Sequence, residues 1–391
     1  MRAMIDVASA KRRRILSRVR SVIESITDGD LHAKRVLSIS HATIGVIHGA
    51  ALGVTAIGRA MAIARGVSTK HAVKQVDRLL SNEAIDVWQF YSKWVPYVLG
   101  ARSEVVVSLD WTDFDQDGHA TLALNMITKH GRASPLMWLT VEKSDLKGWR
   151  NEHENRLVKR LRELVPETVS VTILADRGFG DVGLYSLLGE LKFDYVIRFR
   201  GVVKVTTEKG ETRAASDWVP SNGSVKTIRN AGVTRRKVGV PTIACTKAKG
   251  MKESWCLAMG SSTRTGRAGV NLYARRFTCE ENFRDVKDIR FGMGLSQARI
   301  SSTEKRDRIL LISALAVAML TMLGAAGESV GLDRLLKVNT SKRRTHSLFF
   351  QGCHYYAAMP MMPPDDFKAI ALRFGELLRE HEVTREVFGL I

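Results

Sequence analysis

The chain has 391 residues and a mass of 43.5 kDa, enough for two or three domains with buried cores. Hydrophobic residues make up 45% and charged residues 26%, which excludes fibrous and wholly disordered classes. Lys and Arg number 60 against 40 Asp and Glu, and the net charge of +20 calls for a polyanionic partner, nucleic acid before acidic membrane.

That charge is uneven. Residues 1–100 carry 15 basic and 7 acidic side chains, net +8, and residues 201–300 carry 19 and 8, net +11. Between them, residues 101–200 carry 14 and 15. A near-neutral, Asp-rich block flanked by basic ones suits a polyanion held beside a site that needs carboxylates. The four cysteines, Cys245, Cys256, Cys279 and Cys353, form no C-x-x-C pair. They argue against a zinc site and a disulfide framework and fit a reducing cytosol.

The basic N-terminus, MRAMIDVASAKRRRILSRVR, is followed by no apolar secretory segment, so a cytoplasmic protein is expected. Residues 1–100 read as a helical DNA-binding domain. KRRRILSRVRSVIESI is a basic amphipathic helix, and STKHAVKQVDRLLSN opens on a Ser/Thr cap with Val73, Val76, Leu79 and Leu80 at helical spacing.

From about residue 103 the period changes. SEVVVSLDWTDF, TLALNMIT and PLMWLTV read as strands, HENRLVKRLRELVP as a helix stopped by Pro166. VSVTILAD is a strand, VGLYSLLGEL a helix and FDYVIRFRG a strand, the order of a mixed α/β sheet with covering helices. Residues 201–268 alternate short β-rich runs with Gly-containing turns and read as a basic β-insertion within a domain spanning 101–330. A helix is expected over 273–290. Ile309 to Ala326 has no charge for 18 residues, the lower limit for a membrane span. Its Ser313, Thr321 and small residues, and the lack of a second such stretch, favour a buried core helix and no membrane partner. Residues 340–353 read as a basic loop with an aromatic anchor, and 365–388 as an amphipathic helix. Residues 331–391 form a helical C-terminal region offering a surface for dimerisation.

Two carboxylates end buried strands. Asp110 closes VVVSL, and Asp176 closes VTILA before Arg177-Gly178. Past the C-terminal end of a strand, an acid faces the crevice where α/β sheets bind ligands, although a strand-end Asp also commonly just forms a turn. A third comes from the helix, where Tyr273, Arg276, Glu280 and Lys287 fall within one arc of roughly 60°. A solvated ion-pair ladder gives the same spacing. Three carboxylates beside basic surfaces suit two-metal phosphoryl transfer, since Mg²⁺ prefers oxygen ligands.

SLDWTDF, ILADRGFGD and the Y-x2-R-x3-E-x6-K run from Tyr273 to Lys287, with a β-insertion before it, resemble the DDE transposases of bacterial insertion sequences, and within them the insertion-sequence-four family. The likeness covers about 104–330. It implies a ribonuclease H-like catalytic core and metal-dependent DNA cleavage and strand transfer at transposon ends. It also implies two Mg²⁺ or Mn²⁺ ions on Asp110, Asp176 and Glu280, and Tyr273, Arg276 and Lys287 on DNA near the cut. Trp255 is the residue on which a flipped base would stack; a buried strand Trp is the alternative. Partners implied are double-stranded DNA and a second copy of the chain in the end complex, in a nucleoid-associated setting. A catalytically silent DNA-binding derivative and a nuclease without strand transfer remain as alternatives.

Two further patterns are decoys. Asp113, Asp115, Asp117 and Gly118 spell the opening of a calcium loop, but its twelfth position is Leu124 and a strand follows, so a turn is expected. No P-loop is present, so no nucleotide cofactor is implied.

Overall fold

The computed structural model describes residues 2–27, 31–288, 290 and 292–379. Five helices come first: α1 (Arg2–Thr27), α2 (Ala33–Gly49), α3 (Val54–Arg65), α4 (Thr69–Leu80) and α5 (Val87–Leu99). Their starts follow the chemistry of the sequence. Ser68 Oγ accepts from His71 N–H at the head of α4, and Asp86 Oδ1 accepts from Trp88 N–H at the head of α5.

The apolar runs that follow become β1 (Glu104–Phe114), β2 (His119–Ile127) and β3 (Ala133–Glu142), then α6 (Arg150–Leu164), β4 (Ser170–Ala175), α7 (Val182–Glu190) and β5 (Asp194–Phe199). The basic segment supplies β6 (Lys204–Thr206), β7 (Thr212–Ala214), β8 (Val225–Val233), β9 (Val238–Thr246) and β10 (Trp255–Met259). It does not stand apart from the sheet. Cys256 pairs with Phe199 and Met259 with Val196, so β10 joins β5 and the whole is one ten-stranded sheet, β3-β2-β1-β4-β5-β10-β9-β8-β6-β7. β1, β4 and β5 are mutually parallel and the other pairs antiparallel.

The helix expected over 273–290 is two helices, α8 (Gly266–Ala274) and α9 (Thr278–Lys287), joined by a 3-10 turn at Arg275–Phe277. The burial pattern gives the reason. Tyr273, Arg276 and Cys279 are all buried, a spacing of three that the tighter turn places on one inward side. Ile289 lies outside the described residues.

α10 (Thr303–Ser329) carries the long uncharged run and is mostly buried, as a core helix would be. It packs on α11 (Leu348–Ala358) and α12 (Pro364–Arg379). α11 begins inside the segment expected to be a loop, with Ser347 Oγ accepting from Phe350 N–H as its cap. The helix expected over 365–388 is described to Arg379; residues 380–388 lie outside the described residues.

One apolar core runs through N-terminal helices, sheet and C-terminal helices, from Ile15 and Val19 through Leu109 and Ile173 to Phe374. Tyr91 locks α5 to β3: its hydroxyl donates to Trp138 O at 2.6 Å and accepts from Trp138 N–H at 3.0 Å. Trp94 Nε1 donates to Pro135 O at 3.2 Å on the same strand.

Candidate active site

The sheet itself sets two of the three acids side by side. β1 and β4 pair in parallel up to Leu109 opposite Ala175, and the next residues are Asp110 and Asp176. Neighbouring strands lie about 4.8 Å apart, so the two acids are adjacent where β4 stops. Asp110 does not end its strand as expected: β1 runs on to Phe114, because β2 continues to pair with it from Ala123 opposite Asp110 to His119 opposite Phe114. Asp176 caps the turn that follows, its Oδ1 accepting from Gly178 N–H at 2.7 Å. On Asp110 the side chain is 18% exposed.

α9 brings the third. Asn125 on β2 donates to Cys279 Sγ at 3.3 Å and accepts from Asn282 Nδ2 at 3.4 Å, a buried polar contact that seats α9 against the sheet. Glu280, one residue past Cys279, is then half exposed at the crevice. Arg276 links the acids: Nη1 donates to Asp110 Oδ2 at 3.1 Å and Nη2 to Glu280 Oε1 at 2.9 Å. The i, i+4 ion pair of a ladder is present, but Arg276 is buried and extends it across the fold to Asp110 on β1.

The electrostatics follow from this crowding. Burial pushes the Asp110 carboxyl up to about 6; Arg276 opposes the rise, and Asp176 and Glu280 add to it. Burial works against the charge of Arg276, yet Tyr273, Asp110, Glu280 and Asp176 together hold its guanidinium above the ordinary arginine value. The acids thus form a concentrated negative site that one guanidinium only partly neutralises.

Among the described residues, no three His, Cys, Asp or Glu side chains stand close enough to hold a metal ion as they are. The donor set still fits a hard divalent cation: carboxylate oxygens from the middle of β1, from the end of β4 and from a helix, with a guanidinium lying where positive charge is wanted.

The rest of the expected stripe divides. Tyr273 is buried, its ring 4.9 Å from that of Trp255 and nearly perpendicular to it. Trp255, partly buried at the start of β10, also stacks on Phe277 at 6.2 Å, and Phe277 is 45% exposed. Arg276 lies over both the Phe277 and Tyr273 rings. Lys287 reaches a different place. Its Nζ donates to Thr112 Oγ1 at 3.0 Å and to Asp113 O at 2.6 Å, beyond Asp110 on β1. Burial lowers its pKa, with Asp113 and Asp115 opposing.

The calcium-loop decoy is a turn between β1 and β2. Lys143 Nζ pairs with Asp113 at 3.2 Å and Asp115 at 2.5 Å, Asp117 pairs with the buried Arg306, and Gly118 takes φ +67°. Missing from the sequence-based site is the pair Arg150 and Glu154 on α6, which meets Trp111, the neighbour of Asp110. The i, i+4 spacing was its only signal, and an exposed pair would look the same.

No curated protein matches the chain. Residues 144–317, which hold Asp176 and Glu280 but begin after Asp110, match the family model described as a transposase DDE domain. The ten-stranded mixed sheet with helices at both ends is compatible with a ribonuclease H-like domain of that kind. The match supports a DDE transposase, an enzyme acting on DNA.

Proposed function

We propose that the protein is the transposase of an insertion sequence of the insertion-sequence-four type, which binds the ends of its element and cuts and joins DNA there. The observation that carries this is the meeting of Asp110, Glu280 and Arg276 at the edge where Asp176 ends the neighbouring strand. Asp110, Asp176 and Glu280 would hold Mg²⁺ or Mn²⁺, two ions by the resemblance. Bound there, the metal would activate the attacking oxygen and stabilise the leaving one. Arg276, held between two acids, is placed to turn one fork toward a phosphate of the strand being cut. Lys287 would supply a second positive charge farther along β1, at Thr112 and Asp113. Trp255 with Phe277 offers a partly open aromatic surface on which a displaced base could stack.

The net +8 of residues 1–100 and +11 of residues 201–300 support phosphate contacts along the duplex. We assign residues 1–100 to end recognition, 101–330 to chemistry and 331–391 to pairing of two copies, in a bacterial cytoplasm at the nucleoid. The test is to incubate the chain with the DNA bordering its coding sequence and Mg²⁺, and to look for 3′-OH ends and joined products. Asp110→Asn should abolish cutting and leave DNA binding nearly intact. Robust Mg²⁺-dependent cutting by that variant would remove Asp110 from the site. Cutting without joining would favour the nuclease alternative.

A further inference from the structure

Beside the acids sits a cation that the proposed site does not use. α6 starts at Arg150, and its Nε donates to Glu154 Oε1 at 3.2 Å. The same Glu154 oxygen accepts from Trp111 Nε1 at 2.8 Å. Glu154 is only 3% exposed, so a buried carboxylate fixes both an indole and a guanidinium. The guanidinium carbon then lies 5.2 Å from the centre of the Trp111 ring and 6.0 Å from that of Phe179. Trp111 follows Asp110, and Phe179 closes the turn that Asp176 opens. Arg150 is therefore clamped between the two segments that carry Asp110 and Asp176.

Its outer end points at the same turn. A methyl group added to Gly178 would lie 3.0 Å from Asp176 Oδ1 and 4.0 Å from Arg150 Nη2. The side chain is 45% exposed although its Nε end is anchored. Among the described residues, neither Nη1 nor Nη2 donates a hydrogen bond alongside the Nε bond. Trp149, one residue earlier, is 62% exposed, an unusual cost for an indole unless something flat meets it.

A guanidinium needed only to neutralise Glu154 would turn its fork toward that acid. Here Nε alone meets Glu154, and the two-pronged face of Arg150 is left to solvent beside the carboxylate turn. That is the arrangement for bidentate capture of a phosphate group.

We infer that Arg150 is a phosphodiester-binding residue of the active crevice, with Glu154 and Trp111 as the residues that position it. It grips a backbone phosphate of the strand being cut, next to the phosphate that lies at Asp110 and Asp176. This rests on the transposase reading above and adds to it a contact from α6, outside the stripe that runs from Tyr273 to Lys287. The rigid mount matters because a phosphate displaced from line with its attacking oxygen reacts slowly, however tightly it is bound.

The test uses the full chain in two assays. One is Mg²⁺-dependent nicking of a plasmid carrying the DNA that borders the coding sequence, at saturating protein. The other is binding of a duplex of the same sequence in EDTA, over a range of salt. Arg150→Ala should lower nicking by about tenfold or more. It should also reduce the slope of log affinity against log salt by about 0.9, the value of one neutralised phosphate. Arg150→Lys should restore the slope, because charge is kept, but not the nicking, because the fork is gone. Glu154→Gln keeps the acceptor oxygen but removes the charge that anchors Arg150, and should lower nicking with little change in melting temperature. Unchanged nicking by Arg150→Ala, or a loss matched by unfolding with the salt slope intact, would overturn the inference alone. Failure of the unaltered chain to bind or nick this DNA would overturn the transposase reading and the inference with it.

Discussion

Arg276 is the residue on which the site turns. Lysine would keep the charge but not the planar fork that reaches Asp110 from Nη1 and Glu280 from Nη2. Arg276→Lys should therefore cut cleavage of pre-bound DNA ends by about tenfold or more while the melting temperature moves little. Equal cleavage in the two proteins would return Arg276 to a structural ion pair. The positions of the acids were visible in the sequence because each follows an apolar run that must be a buried strand. The inward turn of Arg276 was not, since its partner is 166 residues away. The destination of Lys287 was hidden for the same reason: Thr112 and Asp113 O become its acceptors only when α9 docks on β1.

A second residue gives a pH test away from the acids of the crevice. Asp307 on α10 accepts from Thr140 N–H at 3.1 Å, and burial pushes its carboxyl up to about 8 from an ordinary 3.8. Between those values the folded chain holds a proton that the unfolded chain has released, so this group makes stability fall as pH rises through the window. Asp307→Asn keeps the acceptor for Thr140 and removes the titration. It should flatten that fall and raise the stability of the protein above pH 8. Melting curves at intervals from pH 5 to 9 give the comparison, and parallel profiles for both proteins would contradict the assignment.

At the scale of elements, strands and helices were legible where burial imposes a period, and misread where a residue's role depends on a distant neighbour. The loop expected over 340–353 is the clearest case. Gly352 reads as a break in a sequence, yet it lies inside α11 at the point where that helix crosses α10. A methyl group on Gly352 would collide with Leu320 O, and one on Gly324 with Leu348 O. Backbone on both sides leaves nothing free to move aside, so the two glycines let the helices touch. Either residue changed to Ala should cost about 1–3 kcal/mol through overpacking, although Ala is the better helix former. Denaturant midpoints decide this; a stabilised Gly352→Ala protein would mean that the helices do not cross there. The β-rich segment shows a related limit. Its strands were legible as short runs between turns, but its place as an extension of the central sheet rests on the pairing of β10 with β5, 57 residues apart at Cys256 and Phe199.

For the whole molecule, the shared core changes how the role of the basic N-terminal helices can be tested. Arg308 on α10 donates to Ile85 O at 3.0 Å and Leu80 O at 2.8 Å, and Tyr91 and Trp94 bury their rings against β3. Deleting residues 1–100 would strip apolar surface from the sheet and α10 along with any DNA-binding groups, so a loss of activity would prove nothing about recognition. Surface charge offers a cleaner route. Lys70, Lys74 and Arg78 lie four residues apart on α4, all exposed, while Ala72, Val76 and Leu79 on the same helix are buried. One face of α4 therefore holds it in the core and the opposite face carries a basic stripe. If the excess positive charge of this region is there to meet a duplex, changing all three to Ala should weaken binding. It should also lower the slope of log affinity against log salt by up to about 2.7, at about 0.9 for each phosphate no longer neutralised. The melting temperature should stay nearly constant, because surface substitutions away from packed features usually stay within about 0.5 kcal/mol. An unchanged slope with unchanged folding would show that DNA lies elsewhere, and the basic strands of residues 201–268 would then be the next surface to neutralise.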